Sequence, residues 1–473
     1  MNRAIPSLEN GCGWGFAISL ACAPVIFGGN VALAWSLNAL LFGFWMLLYV
    51  GIRVLASQAL PLELSRLFVP CLAFFIVASW IALQTASWLP RTFEAPEWGR
   101  VAQLLDRPIS RSISVNPSET GLGLLRFATA FAVFFVAAEL GRSDHWSRRL
   151  VITVAIAAAA QALFAFSLRT IGPEAAKAVL AQGPFKLDQQ PHLTGTFINR
   201  NHFAIYLGLG FVCLWGLLLK DLKNALAEKG LSGNREPLAK LVAASGSLMR
   251  YSVLFVLVTS ALLLTGSRAA IVLTTLAIIL MLLLKKGRSP AATAMKKTAA
   301  VILLAGGFAA IVSWGDVIGA KVVNSSAHND VDSRLAVAAI SLRAIADRPH
   351  TGFGYATFAD VFQYYRDDSI PLTGTWREAH NSYLEALMGL GVPVASILFF
   401  ALIWIAWRCL HGAINRRRGQ LAPMVAVGAI VIVALHALVD FSIQIGGIAL
   451  TVAALLGVGY SQSWSTRQTT GRE

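Results

Sequence analysis

Charge is what this chain has least of: Asp, Glu, Lys and Arg supply only 13% of 473 residues, against 56% hydrophobic ones. One soluble core cannot bury that much apolar surface, so the scarcity excludes an ordinary soluble enzyme and leaves a polytopic membrane protein. No charged residue at all stands between Glu9 and Arg53, room for two membrane spans and a tight turn near Gly28-Gly29-Asn30. Cysteine is scarce too. Cys12, Cys22, Cys71, Cys213 and Cys409 lie in or beside apolar runs without C-x-x-C spacing, which excludes a disulfide framework and a zinc site. No small-residue cleavage site follows the first apolar run, so that run reads as a span and not a removed signal. No internal repeat is visible, which withholds support from a transporter built of two matched halves.

What is present is a series of apolar runs about 17 to 25 residues long, the length of membrane-crossing helices and too long for barrel strands. The expected fold class is therefore all-α, a polytopic membrane protein with about twelve transmembrane helices. After the first two, spans are expected near 67–88, 121–138, 150–168, 201–219, 249–265, 269–284, 298–314, 381–407, 421–439 and 443–460. Placing both termini in the cytoplasm puts 23 of the 39 Lys and Arg on that side, with clusters at Lys285-Lys286, Lys296-Lys297 and Arg416-Arg417-Arg418. That bias orients the chain. The net charge of +15 is then a matter of topology and not of nucleic-acid binding. Trp14, Trp88, Trp314 and Trp404 fall near span ends, as interfacial aromatics do. Three outer segments remain, 89–120, 169–200 and the large periplasmic loop 315–380. The first carries no motif, and Arg126, inside a span, has no evident assignment.

Chemistry concentrates at the outer ends of the later spans. Gly195 to Ala204 reads GTFINRNHFA, which sets Asn199, Arg200, Asn201 and His202 at the entry of a helix. Unpaired N–H groups and a guanidinium there suit a phosphate; the plainer reading is an arginine reaching lipid headgroups. Arg268, in TGSRAA, is the only charge between Arg250 and Lys285 and lies on the outer side against the positive-inside bias. It is either a functional cation or one held in a structural ion pair. His380 follows Trp376-Arg377-Glu378-Ala379 and precedes Asn381 at the start of a span, where an imidazole can take a proton from an attacking hydroxyl or simply cap a helix. Glu385 follows one turn later, either orienting a neighbour or forming a buried pair. Gly352-Phe353-Gly354 lacks a P-loop ending and reads as a turn. His436, Asp440 and Gln444 share one face, either packing against the 315–380 loop or binding sugar.

In this order GTFINRNHFA, TGSRAA, RPHTGFGYATF, AHNSYLEALMGLG and HALVDFSIQI resemble the O-antigen ligase and polymerase family of bacterial envelope glycosyltransferases. The resemblance covers roughly 190–450, with HNSYLE its most specific piece. Its departures are Gly389, where the family often has Glu, and Gly391-Val392-Pro393-Val394, which lacks a final glycine; both bear on packing below the site. The chain divides accordingly into N-terminal helices 1–190, a ligase/polymerase-like region 191–460 and a cytoplasmic tail 461–473.

The resemblance implies an inner-membrane enzyme with a periplasmic site. Its donor is an undecaprenyl-pyrophosphate-linked glycan. The acceptor is lipid A core or another lipid-linked glycan, with a protein side chain as an alternative. Arg200 and Arg268 hold the pyrophosphate and His380 acts as base, while Asn199, Asn201, His202, Asn381 and Asp440 are candidate substrate contacts. No metal, cofactor or nucleotide is implied; membrane lipids are the other partners. A flippase for the same lipids, which would want polar residues along its spans, and a non-catalytic assembly protein are the competing readings.

Overall fold

A computed structural model describes residues 5–58, 60–172, 192–228, 236–284, 326–370, 376–416 and 419–464, with 175 and 298 as isolated positions. Among them every regular element is helical. In chain order these are α1 (Ile5–Cys22), α2 (Ala32–Leu55), α3 (Leu64–Gln84), α4 (Glu97–Leu104), α5 (Pro117–Gly141), α6 (Asp144–Thr170), α7 (Arg200–Glu228), α8 (Glu236–Leu264), α9 (Arg268–Leu284), α10 (Ser326–Asp347), α11 (Phe358–Tyr365), α12 (Ser382–Leu390), α13 (Val392–Asn415), α14 (Leu421–His436) and α15 (Gly446–Gln462).

Among the described residues seven helices are long and apolar enough to cross a membrane: α2, α3, α5, α6, α7 over Arg200–Leu222, α8 over Gly246–Leu264, and α13. This is a multi-pass helical membrane protein, with fewer long apolar helices than the twelve spans expected. Three expected spans, α9, α14 and α15, are apolar helices of 17, 16 and 17 residues. The expected span 298–314, the four lysines at 285, 286, 296 and 297, Arg417 and Arg418, and tail residues 465–473 lie outside the described residues.

The bundle is built around α15, whose residues are buried at nearly every position. Glycines let it come close to its neighbours: a Cβ on Gly457 would stand 2.3 Å from the Phe134 carbonyl of α5, and one on Gly459 2.3 Å from the Ala426 Cβ of α14. Small residues are how helices approach in a medium where apolar burial gives little drive to pair. One apolar core runs from Cys12 to Tyr460, joining early and late helices.

A second, smaller core sits beyond the bundle's end. Val337, Ile340 and Ala344 of α10 pack there with Phe353, Phe358, Phe362 and Met388. Segment 89–120, which carries no motif, is part of this layer. Glu97 pairs with Arg348, the Val115 N–H donates to the Phe353 carbonyl at 2.9 Å, and Asn116 Nδ2 donates to Asp360 at 3.1 Å.

The continuous span expected over 381–407 is two helices. Gly391, at φ 78° and ψ 158°, breaks the chain between α12 and α13, and Pro393 opens the second. The cause is a backbone crossing: a Cβ on Gly352 would lie 2.4 Å from the Gly389 carbonyl, and one on Gly391 2.4 Å from that of His350. Only glycines at both places allow the two loops to touch. The Gly352-Phe353-Gly354 turn thus rests on Gly389 and Gly391, the first of them one of the departures noted from the resemblance. Gln84, wholly buried at the end of α3, locks the crossing. Its Nε2 donates to the Thr351 and Gly389 carbonyls at 2.9 and 2.8 Å, and its Oε1 accepts from the Tyr355 N–H at 3.0 Å.

Candidate functional site

At the end of the bundle beneath the outer layer, one carboxylate gathers three imidazoles. Asp440 Oδ1 lies 3.3 Å from His202 Nε2 and 3.8 Å from His380 Nδ1, and Oδ2 lies 3.8 Å from His436 Nε2. The Phe441 N–H donates to Oδ1 at 2.7 Å, and His436 Nδ1 is 2.8 Å from Ser442 Oγ. Asp440, His202 and His436 are buried. His380 alone keeps a quarter of its side chain open, at 26%. The Phe441 ring stands edge-on to both His202 and His380, with centroids 4.7 and 5.2 Å away, and Trp376 flanks His380 on another side at 5.9 Å. Burial alone would raise the Asp440 carboxyl, but the contacts from His202 and His380 and the charges of His202 and His436 hold it well below the usual carboxylate range. The carboxylate is therefore a fixed negative charge facing three imidazoles.

The backbone at His380 is left-handed, with φ 52°, a conformation a non-glycine residue holds only when its surroundings dictate it. Both flanks are fastened. On one side the Ala379 N–H donates to Glu385 Oε1 at 2.7 Å, while Glu385 Oε2 accepts from Gln444 Nε2 at 2.7 Å. On the other, Asn381 caps α12 by accepting from the Tyr383 and Leu384 N–H groups at 3.1 Å each, and its Nδ2 donates to the Leu438 carbonyl at 3.1 Å. The Ser382 N–H reaches the Ala437 carbonyl at 2.9 Å. The turn after α14 thus grips the turn before α12, which brings His380 and Asp440 together across 60 residues of sequence. Glu385 and Gln444 are partners that sequence spacing did not pair. Burial pushes the Glu385 carboxyl up to about 7 despite these two hydrogen bonds. Burial also raises Glu378, against the pull of His380, His202 and Arg377.

The cations arrive from α7 and α9. Asn199 opens α7 by accepting from the Asn201 N–H at 2.8 Å. Arg200 is partly buried, and His202, two residues on, reaches Asp440. Arg268 is exposed at the start of α9, and its charge acts on Arg200. The turn between α8 and α9 packs against the same guanidinium: a Cβ on Gly266 would stand 3.6 Å from Arg200 Nη1. Among the described residues no acid pairs with either arginine, so the structural ion pair weighed for Arg268 has no partner there. Guanidinium groups are suited to binding an anion such as a phosphate.

The structure thus joins His202, His380, His436 and Asp440 in one cluster, with Gln444 linked to it through Glu385 and the Ala379 N–H; Arg200 lies two residues from His202 along α7, and Arg268 is exposed at the start of α9. Asn199 and Asn381 spend their side chains on helix caps. Among the described residues no three His, Cys, Asp or Glu side chains are arranged to hold a metal ion. Sequence reasoning missed Gln84, and for Glu385 it weighed an orienting role without naming its partners, Gln444 and the Ala379 N–H. The only signal for either was a lone polar residue at the edge of an apolar run.

Comparison with curated proteins finds no match. Residues 253–400, from within α8 to within α13, match the family model for O-antigen ligase. That interval includes Arg268, Tyr355, His380 and Glu385, while Arg200, His202 and Asp440 lie outside it. With this match, the chain is a multi-pass helical membrane protein in which residues 253–400 are similar to the O-antigen ligase family.

Proposed function

We propose that the protein transfers a glycan from undecaprenyl pyrophosphate to an acceptor hydroxyl at the periplasmic face of the bacterial inner membrane, crossing it twelve times with both termini in the cytoplasm. The observation that carries this reading is the quarter-open imidazole of His380 beside the Asp440 carboxylate; Arg200 stands two residues before His202, which reaches the same carboxylate, and the charge of Arg268 acts on Arg200. In the proposed step the acceptor oxygen attacks the anomeric carbon of the donor sugar. Its proton passes to His380, the new glycosidic bond forms, and the bond from the anomeric carbon to the pyrophosphate oxygen breaks. The departing polyprenyl pyrophosphate keeps that electron pair, and Arg200 and Arg268 stabilise the charge that develops on it. Asp440 faces the positive charge that His380 acquires. Neither a metal nor a nucleotide enters this step. Lipid A core and a second lipid-linked glycan are the acceptors that fit a site opening at a membrane surface.

The test is glycan transfer by the purified protein in detergent, wild type beside His380→Ala, with lipid A core and then with donor alone. Loss of at least a thousandfold in rate with donor binding retained is the expected result. A single core-linked product identifies a ligase; a ladder from donor alone identifies a polymerase. Equal rates in the two proteins, or donor crossing liposomes with no product from either, would overturn the proposal.

A further inference from the structure

Arg126 is the one charge within the apolar stretch of α5 that the proposed chemistry does not use. It lies nine residues beyond Pro117, the first residue of the helix, so about 13 Å along the helix axis. An arginine at such depth is costly unless something engages it. Among the described residues no acidic side chain pairs with it. Its guanidinium instead sits over the ring of Trp35 on α2, 5.6 Å from the centroid. The indole carries a second unmet demand: Trp35 is 6% exposed, and its Nε1 is buried without an acceptor. A cation and a buried N–H donor therefore stand side by side, both lacking an anion.

The position is tied to the His380 turn. Tyr355, from the glycine turn above, packs on α5 beside Arg126; a Cβ on Gly123 would meet its Cδ1 at 2.8 Å. The charges of Glu385 and Arg126 both act on the Tyr355 phenol. Glu385 in turn holds the Ala379 N–H next to His380. Arg126 thus approaches the cluster from the α2 and α5 side, whereas Arg200 and Arg268 approach from α7 and α9. Exposed Leu122, one turn before Arg126 on α5, and its neighbour Leu125 give it an apolar border.

We infer that Arg126 and the Trp35 indole form a second phosphate-binding position, which takes the phosphate of the lipid acceptor while the arginine pair holds the donor. This rests on the transferase reading for the word acceptor, but not for the binding position itself. The apolar border selects a phosphate carried on a lipid over a soluble anion. The phosphate belongs either to a polyprenyl pyrophosphate or to a phosphorylated glucosamine lipid such as lipid A.

Native mass spectrometry of the full chain in detergent tests it, with polyprenyl pyrophosphate, lipid A and phosphatidylglycerol each titrated separately. Wild type is expected to bind a second phosphate lipid of one of the first two kinds, and Arg126→Gln to weaken that equivalent at least tenfold while leaving the first unchanged. Arg126→Lys, which keeps the charge, and Trp35→Phe, which keeps the ring and removes only the N–H, are expected to fall between the two and serve as milder variants if the glutamine protein folds poorly. Arg200→Gln/Arg268→Gln is expected to lose the first equivalent and keep the second. Both equivalents surviving in all Arg126 and Trp35 variants overturns the inference, as does phosphatidylglycerol binding equally well at the Arg126-dependent position. Unaltered binding in the double arginine variant would instead sink the donor clamp and leave this position standing.

Discussion

Replacing Asp440 by Asn removes the charge at the centre of the cluster while keeping its shape and one oxygen for the Phe441 N–H. The carboxylate stands 3.8 Å from His380 Nδ1. A positive charge formed there during proton transfer is attracted by about 4 kcal/mol at an effective dielectric of about 20. Because His380 is 26% open to water, part of that is screened, and a loss of about 2 to 3 kcal/mol is the reasonable expectation. At 1.36 kcal/mol per tenfold, Asp440→Asn lowers kcat about 30- to 160-fold. The donor Kd is expected to stay within about twofold, since the proposal assigns the pyrophosphate to Arg200 and Arg268 and not to Asp440. Initial rates at saturating donor, with donor binding measured separately and thermal unfolding as a check on folding, supply all three numbers. A kcat within threefold of wild type in a folded protein would refute the claim that this carboxylate faces charge on His380. A change confined to donor affinity would refute the division of labour between the aspartate and the arginines.

Two further outcomes follow from the scaffold. Gly352→Ala forces a Cβ to within 2.4 Å of the Gly389 carbonyl at φ 64°, which is expected to cost about 2 to 4 kcal/mol from left-handed strain and overpacking together. A lower thermal midpoint and a loss of transfer check it, and a silent substitution would mean the glycine crossing does not hold the two loops. Glu385 has a folded value raised to about 7 from 4.5, so its stabilising contribution is complete below about pH 4.5 and is lost as pH rises through about 7. Wild type should therefore lose on the order of 2 kcal/mol from this group between pH 5 and pH 8. Glu385→Gln should lack that part of the slope in detergent unfolding; an identical slope would show that the carboxyl does not titrate in this range.

Much of this was legible because membrane residence writes itself into composition. The apolar runs located both ends of α3, α5 and α6, the start of α7 and the end of α8 to within six residues. The need to neutralise or use every charge near lipid made Arg200, Arg268 and His380 conspicuous. The failure at 381–407 has an equally physical origin. Apolar periodicity continues straight through Gly391, and only the backbone of His350, coming from the outer layer, requires the break.

The sequence by itself determined the all-helical membrane architecture, the gathering of polar motifs at the ends of the later apolar runs, and the resemblance carried by HNSYLE. Hydropathy and spacing are local properties, and these conclusions need nothing more. Only the tertiary structure decided that Asp440 lies among three histidines, that Glu385 and Gln444 brace the His380 turn, that Gln84 bolts α3 to the glycine crossing, and that Arg126 rests on Trp35. Each of these pairs residues from different helices or turns through one hydrogen bond or ring contact. A single polar residue in an apolar run announces that it needs a partner and leaves the identity of that partner to the packing of the whole bundle.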